Sequence, residues 1–260
     1  LSASPGRLYL VPTPLDFGTL GAGATPPPLT QVLPQQVLDV AAGLTHWVVE
    51  NAKTTRAFLK RVHAVVPLAR PLQEMVIAEL PRPPKGSART PPPDGQLDLL
   101  LQPAAAGHDI GLVSEAGMPA VADPGADVVR RAHELGLQVV PLVGPSALLL
   151  ALAASGMNGQ SFAFVGYLPV DDGARASRIR ELEALARRSG QTQMMIETPY
   201  RNPALLAALL AHLQPTTRLS VACGLTLNGG WNRSFAVSRW KQHPQALPAD
   251  VPAVFAIHGG

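Results

Sequence analysis

The sequence predicts an α/β protein made of two consecutive α/β domains, and three observations carry that expectation. Short apolar runs rich in β-formers alternate with stretches of helical periodicity along the 260 residues, the pattern of helices packed on a largely parallel sheet. The alternation halts at Gly156, Asn158 and Gly159 and then starts again. That places a boundary at 157–160 and the domains at 1–157 and 158–260, in keeping with a length that suits one large or two modest domains. Apolar residues make up 47% of the chain and charged residues 15%, enough for real cores and too apolar for disorder.

Each element follows from local pattern. Residues 8–11 (Leu-Tyr-Leu-Val) read as the first strand, and a loop broken by proline and glycine follows. A helix is expected over 34–42, with Pro34 in its first turn. Residues 46–50 form the second strand, and 53–62 a helix with Ala57, Phe58 and Val62 on one face. The segment 81–95 holds six prolines together with Arg82, Lys85 and Arg89, so it reads as an extended loop, either a basic flap over a site or a surface insertion. A helix at 97–106 stops at Gly107. Then come a strand at 109–114, a helix at 126–135 with Val128, Val129, Ala132 and Leu135 inward, a strand at 138–142 and a helix at 146–155. In the second domain the order is strand 162–166, helix 174–188, strand 192–196, helix 203–213 and strand 218–223. Two final strands are expected at 231–237 and 251–257.

Composition narrows the function. The longest apolar run, centred on 147–154, is too short for a membrane span of about 20 residues, and no basic, apolar, small-residue leader is read at the start. Cys223 is the single cysteine, which rules out an internal disulfide or a thiolate metal cluster and points to a reducing cytoplasm. Residues 160–260 carry ten Lys/Arg against six Asp/Glu, a net +4, while the first 159 carry eleven against twelve, a net −1. A basic half fits an anionic partner such as nucleic acid, and it is also ordinary for a surface of this size. No Gly-x-x-x-x-Gly-Lys-Ser/Thr loop and no Gly-x-Ser-x-Gly elbow is present. Gly21-Ala-Gly23 runs into a triple proline and cannot open a dinucleotide-binding helix. No closely spaced pair of metal ligands stands out.

Three loops follow strands, and in an open α/β sheet ligands bind at the carboxyl ends of strands. They are Val11-Pro-Thr-Pro-Leu-Asp-Phe-Gly18, the long loop leaving Gly111 and ending at Gly125, and Val143-Gly-Pro-Ser-Ala147. Gly117, Gly125 and Gly144 allow close backbone approach or positive φ. Ser114 and Ser146 offer hydroxyls, Ser146 also being placed to cap the next helix. Backbone groups, glycines and small side chains suit an adenosine-containing cofactor.

The run Asp109-Ile-Gly-Leu-Val-Ser-Glu-Ala-Gly-Met-Pro-Ala-Val-Ala-Asp-Pro-Gly125, followed by Val140-Pro-Leu-Val-Gly-Pro-Ser146, resembles the tetrapyrrole (corrin/porphyrin) methylase superfamily. Within it, the similarity is to the branch of bacterial 16S rRNA ribose 2′-O-methyltransferases. Leu8-Tyr-Leu-Val-Pro-Thr-Pro14, Phe162-Ala-Phe-Val-Gly-Tyr-Leu-Pro169 and Ile196-Glu-Thr-Pro-Tyr-Arg201 resemble that branch in the same order. The chain departs from it at Leu15-Asp-Phe-Gly18 and at Val49-Glu-Asn-Ala-Lys-Thr-Thr-Arg56, and Met118 stands where many corrin and porphyrin methylases have Asp.

The resemblance implies two α/β domains of the tetrapyrrole methylase type with the cofactor cleft between them, a homodimer, and S-adenosylmethionine as methyl donor. By motif it implies cofactor contacts at Leu15, Ser114, Gly117, Met118, Val121, Ser146, Ala147, Ile196 and Leu225. The acceptor it implies is ribosomal RNA or the small ribosomal subunit. A tetrapyrrole or other small-molecule methylase, and a non-catalytic S-adenosylmethionine-binding protein, are the alternatives. A ribose hydroxyl benefits from a nearby base, for which Glu50, Glu115 and Glu197 are the motif-placed choices. The alternative for each is a hydrogen-bond anchor for its own loop. Lys53, Arg56 and Arg201 suit phosphate, and Tyr200 suits either a base or Pro199. Glu50 and Arg201 are expected to matter most for turnover.

Overall fold

The computed structural model describes residues 4–16, 26–81 and 91–259. Most of the proline-rich segment, 82–90, lies outside these, as do Phe17 and Gly18 of the first loop and Gly21-Ala-Gly23. The chain forms two compact units, Leu1–Pro145 and Ser146–Gly260.

The first unit runs β1 (Leu8–Leu10), α1 (Gln35–Gly43), β2 (His46–Val49), α2 (Ala52–His63), β3 (Val76–Glu79), α3 (Asp94–Ala105), β4 (Ile110–Val113), α4 (Ala126–Glu134) and β5 (Val139–Pro141). Its sheet has the order β3-β2-β4-β1-β5, and every pairing is parallel. A parallel sheet needs cover on both faces, and alternation supplies it. Tyr9, Val11, Trp47 and Val49 point to one side, where Leu38, Phe58 and Leu59 of α1 and α2 complete a core. Leu8, Val48, Ile110 and Leu112 point to the other, against Leu97, Leu101, Val128 and Ala132 of α3 and α4. Gly111 is required by this packing, because a Cβ there would stand 2.5 Å from the ring of the buried Trp47. Asn51 starts α2 in an extended conformation and its side chain accepts from Lys53 N at 2.9 Å, a cap worth about 1 kcal/mol.

The second unit runs α5 (Ala147–Ser155), β6 (Phe162–Tyr167), α6 (Asp172–Ser189), β7 (Thr192–Ile196), α7 (Asn202–His212), β8 (Arg218–Cys223), β9 (Trp231–Ala236), α8 (Val237–Gln242) and β10 (Ala253–His258). Its sheet order is β6-β7-β10-β8-β9. One face carries Ile179 and Leu182 of α6, Leu205 and Leu209 of α7 and Trp240 of α8. The other is covered by Ala151 and Leu152 of α5, set against Met194, Ala222, Val254 and Ala256.

Four expectations are corrected. The second sheet is mixed rather than largely parallel: only β6 and β7 run parallel, while β10 and β9 pair antiparallel with their neighbours. Helix α5 packs on β8, β9 and β10, so the units divide before it rather than at 157–160. Strand β3 is unexpected; it is a four-residue edge strand with its ends exposed, too short and too solvated to show alternation. The strand expected at 231–237 ends at Ala236, and Val237 instead opens a helix over Val237–Gln242, in which Val237 and Trp240, three residues apart, are both fully buried.

Candidate functional site

The three strand-end loops of the first unit converge. Strands β1 and β4 are neighbours, yet the connection after β1 leads to helices on one face and the connection after β4 to helices on the other. Their carboxyl ends therefore flank a topological switch point, where loops diverge and leave a crevice. Thr13 and Gly117 bridge this point with two backbone hydrogen bonds of 3.0 Å each. The Thr13 hydroxyl also donates to the Ser114 carbonyl at 3.3 Å. The loop after β5 joins them: a Cβ on Gly144 would collide with the Pro12 ring at 2.2 Å, and one on Gly117 would meet Leu15 Cδ2 at 3.1 Å and Pro145 O at 3.3 Å. Gly117 sits at φ +75°, so the glycine supplies both the turn and the clearance.

The long loop is strained beyond its glycines. Ala120 and Ala122 both adopt positive φ, at +65° and +64°, at a cost of roughly 1–2 kcal/mol for each residue with a side chain. Such strain persists only where surrounding contacts impose it, and it clusters at functional segments. One of those contacts comes from Glu50 at the end of β2, whose Oε2 accepts from Glu115 N at 3.0 Å.

Beside this loop a cavity of about 650 Å³ is lined by Glu50, Leu80, Leu97, Glu115, Asp123 and Asp127, among others. Burial, with Glu50 next in effect, pushes the Asp123 carboxyl up to about 6, while the Ser114 hydroxyl acts the other way. Ser114 is 5% exposed. Its Oγ, although near Asp123, has no partner in hydrogen-bond geometry, which is unusual for a buried hydroxyl. A half-buried acid poised near neutrality in a cavity has the properties of a proton-transfer group. Asp123 is not among the residues the sequence singles out; its position in Asp-Pro-Gly just ahead of α4 marks a turn, and its raised pKa depends first on burial and then on Glu50, 73 positions away.

The remaining residues named from the sequence are placed as follows. Leu15, Ser114, Gly117 and Met118 lie in the converging loops, and Val121, on the same long loop, is 45% exposed. Ser146 occupies the N-cap position of α5, but its side chain makes no capping bond. In the second unit, Ala147, Ile196 and Leu225 are each partly buried against the α5 core. Arg201 Nη2 lies 3.1 Å from Glu197 Oε2, and Glu197 Oε1 accepts from Thr198 N at 2.8 Å. Two of the glutamates for which loop anchoring is the alternative role, Glu50 and Glu197, do anchor loops. Tyr200 is 70% exposed. Among the described residues, no helix is long and apolar enough to cross a membrane.

A two-unit chain whose parallel sheet brings three strand-end loops together at one switch point matches a known class. Residues 46–231 fit the Tetrapyrrole (Corrin/Porphyrin) Methylases, and the chain belongs to that family. Over 120 residues it is 43% identical to the ribosomal RNA small subunit methyltransferase I of Neisseria meningitidis serogroup B (strain ATCC BAA-335 / MC58), a match covering 46% of this chain and 40% of that protein. Over 194 residues it is 31% identical to the ribosomal RNA small subunit methyltransferase I of Vibrio cholerae serotype O1 (strain ATCC 39315 / El Tor Inaba N16961), covering 75% of this chain and 56% of that one. The matched parts span about half the length of these curated relatives. In fold alone, the chain is similar to uroporphyrin-III-C-methyltransferase from Thermus thermophilus, with a TM-score of 0.52 at 17% identity over 97% of this chain and 92% of that one.

Proposed function

We propose that this protein is an S-adenosylmethionine-dependent methyltransferase whose acceptor is a ribose 2′-hydroxyl of small-subunit ribosomal RNA. The observation that carries this reading is the meeting of the loops after β1, β4 and β5 at a single switch point. The residues there suit the donor: Ser114 offers a buried hydroxyl, and Gly117, at φ +75° with Leu15 and Pro145 close against it, lets the loops after β1 and β5 meet. On the first unit, Leu15, Ser114, Gly117, Met118 and Val121 would hold the donor. Both curated relatives described above are named as ribosomal RNA methyltransferases, which favours RNA over a tetrapyrrole.

When bound, S-adenosylmethionine supplies an electrophilic methyl group. The protein's part is alignment and proton removal. Alignment in a water-poor site can lower a barrier by up to ~7–11 kcal/mol. Glu50 fixes the long loop, and Asp123 is poised to accept the hydroxyl proton as pH approaches neutrality. We further propose that the protein acts as a homodimer in the cytoplasm. The test supplies labelled methyl donor and the protein to small subunits from cells lacking it, then maps the modified nucleotide; sedimentation reads the oligomeric state. Label on a ribose of the RNA supports the reading. Tight donor binding with no labelled RNA, or label on a small molecule from extract, would replace it.

A further inference from the structure

Helix α6 distributes its charges unequally. Near its start Arg175 and Arg178 are paired with Asp172 and Glu181. Further along, Arg180, Ala184, Arg187 and Arg188 stand at i, i+4, i+7 and i+8 and share one side of the helix. Together with His212 and Gln214 at the end of α7, they line a cavity of about 590 Å³. Among the described residues none of these three arginines has a carboxylate partner. Arg180 Nη2 lies 3.4 Å from His212 Nδ1, Arg187 donates to the neutral side-chain carbonyl of Gln214, and Arg188 has no side-chain partner among the described residues.

Among the described residues, the one carboxylate on the cavity wall is Glu183, which is 5% exposed. It is turned to Gln214 N, which donates to it at 2.8 Å, and to the Thr217 hydroxyl. No other acid stands between Glu183 and Glu197, and none between Glu197 and Asp250. Cations in a last turn do favour the helix dipole, but that dipole amounts to only about half a charge. Three guanidinium groups against one buried carboxylate leave the cavity with a formal surplus of two positive charges. The arginines are spread over about 12 Å of helix at 1.5 Å per residue, longer than one phosphate and suited to a chain of them. Guanidinium is also the side-chain group best matched to phosphate oxygens.

We infer that this cleft on the second unit binds consecutive phosphates of an RNA backbone through Arg180, Arg187 and Arg188. The inference rests on the reading of the acceptor as RNA and deepens it, giving the second unit a role in holding substrate. The test uses the full chain and a fluorescein-labelled single-stranded oligoribonucleotide of mixed sequence, with affinity followed across a salt series. For R180A/R187A/R188A, the loss of three phosphate contacts is expected to make the slope of log affinity against log salt shallower by about 2 and to weaken binding about a hundredfold near 0.1 M salt. R180K/R187K/R188K, which keeps the charges, should keep most of the slope. Binding of S-adenosylhomocysteine, read by calorimetry, should be unchanged in both variants and so show that they are folded.

An alanine variant with the parent's affinity and slope overturns the inference and leaves the methyltransferase reading standing. The converse result, in which the arginines govern RNA binding but the small subunit gains no methyl group, sinks that reading and keeps the cleft. Inorganic pyrophosphate serves as competitor: displacement of the RNA at concentrations comparable to the protein would mark a free-phosphate site and overturn the assignment to RNA.

Discussion

Gly117 offers the sharpest test of the converging loops, because another glycine of the same unit provides an internal control. Gly117→Ala puts a side chain at φ +75°, which costs about 1–2 kcal/mol. The new Cβ would also lie 3.1 Å from Leu15 Cδ2 and 3.3 Å from Pro145 O. Leu15 can rotate away, but the Pro145 carbonyl belongs to backbone and moves only with its loop. That crowding adds about 1 kcal/mol or more. Gly136 has φ +71°, and a Cβ added there would meet no atom within 4 Å, so Gly136→Ala carries the conformational cost alone. Urea unfolding of both variants should therefore show a loss of about 1–2 kcal/mol for Gly136→Ala and about 1 kcal/mol more for Gly117→Ala. Calorimetry with S-adenosylhomocysteine should then separate them: Gly136→Ala binds as the parent does, and Gly117→Ala binds at least tenfold more weakly because the loops after β1 and β5 are pushed apart. Equal affinity in the two variants would refute the claim that these loops form the donor site.

Other perturbations have expected outcomes of their own. Asp123, held at about 6 in the folded chain, keeps its proton from about pH 4 up to about 6, a window in which the unfolded chain's carboxyl, in its ordinary range, has already lost it. Its contribution to stability is therefore present at the acid end and is lost as pH rises through 6, whereas a base must lose its proton to work, so methyl transfer should rise as pH passes through about 6. Asp123→Asn should flatten the pH dependence of the urea midpoint and abolish the rise in turnover; a parental pH–rate profile would exclude Asp123 as the base. Glu50→Gln keeps an oxygen to accept from Glu115 N and should retain more turnover than Glu50→Ala; if the two are equally impaired, the charge matters rather than the anchor. Gly111→Ala forces a Cβ to 2.5 Å from the Trp47 ring and should lower the unfolding free energy by about 3 kcal/mol, measured in urea. Trp240→Phe removes the buried indole donor to Leu219 O, 2.7 Å away, and leaves that carbonyl without this partner, an expected loss of about 1–3 kcal/mol.

Legibility in the sequence followed how locally each feature is encoded. Long amphipathic helices such as α2 and α6, and strands buried on both faces such as β4, declare themselves through periodicity or apolar runs. The loops after β1, β4 and β5 were readable because Gly117, Gly144 and the prolines around them serve backbone geometry at their own positions. Strand β3 gave no such sign, since Val76 is exposed and an edge strand of this length buries little. The antiparallel character of the second sheet was hidden because alternation reports which faces are buried and says nothing about direction. The Asp123 environment and the arginine cleft were illegible for another reason: each joins residues from separate elements, Asp123 with Glu50, and α6 with His212 and Gln214.

The place of β10 in the second sheet has a consequence for biosynthesis. It lies between β7 and β8, so it joins the β6–β7 pair to the β8–β9 hairpin, yet it is the last strand of the described chain to be made. Until Ala253–His258 arrive, the growing polypeptide holds two half-sheets with unsatisfied edges, a condition that invites mispairing and chaperone capture. A stop codon just upstream of that stretch would thus be expected to leave the amino-terminal unit intact and the carboxyl-terminal one split in two.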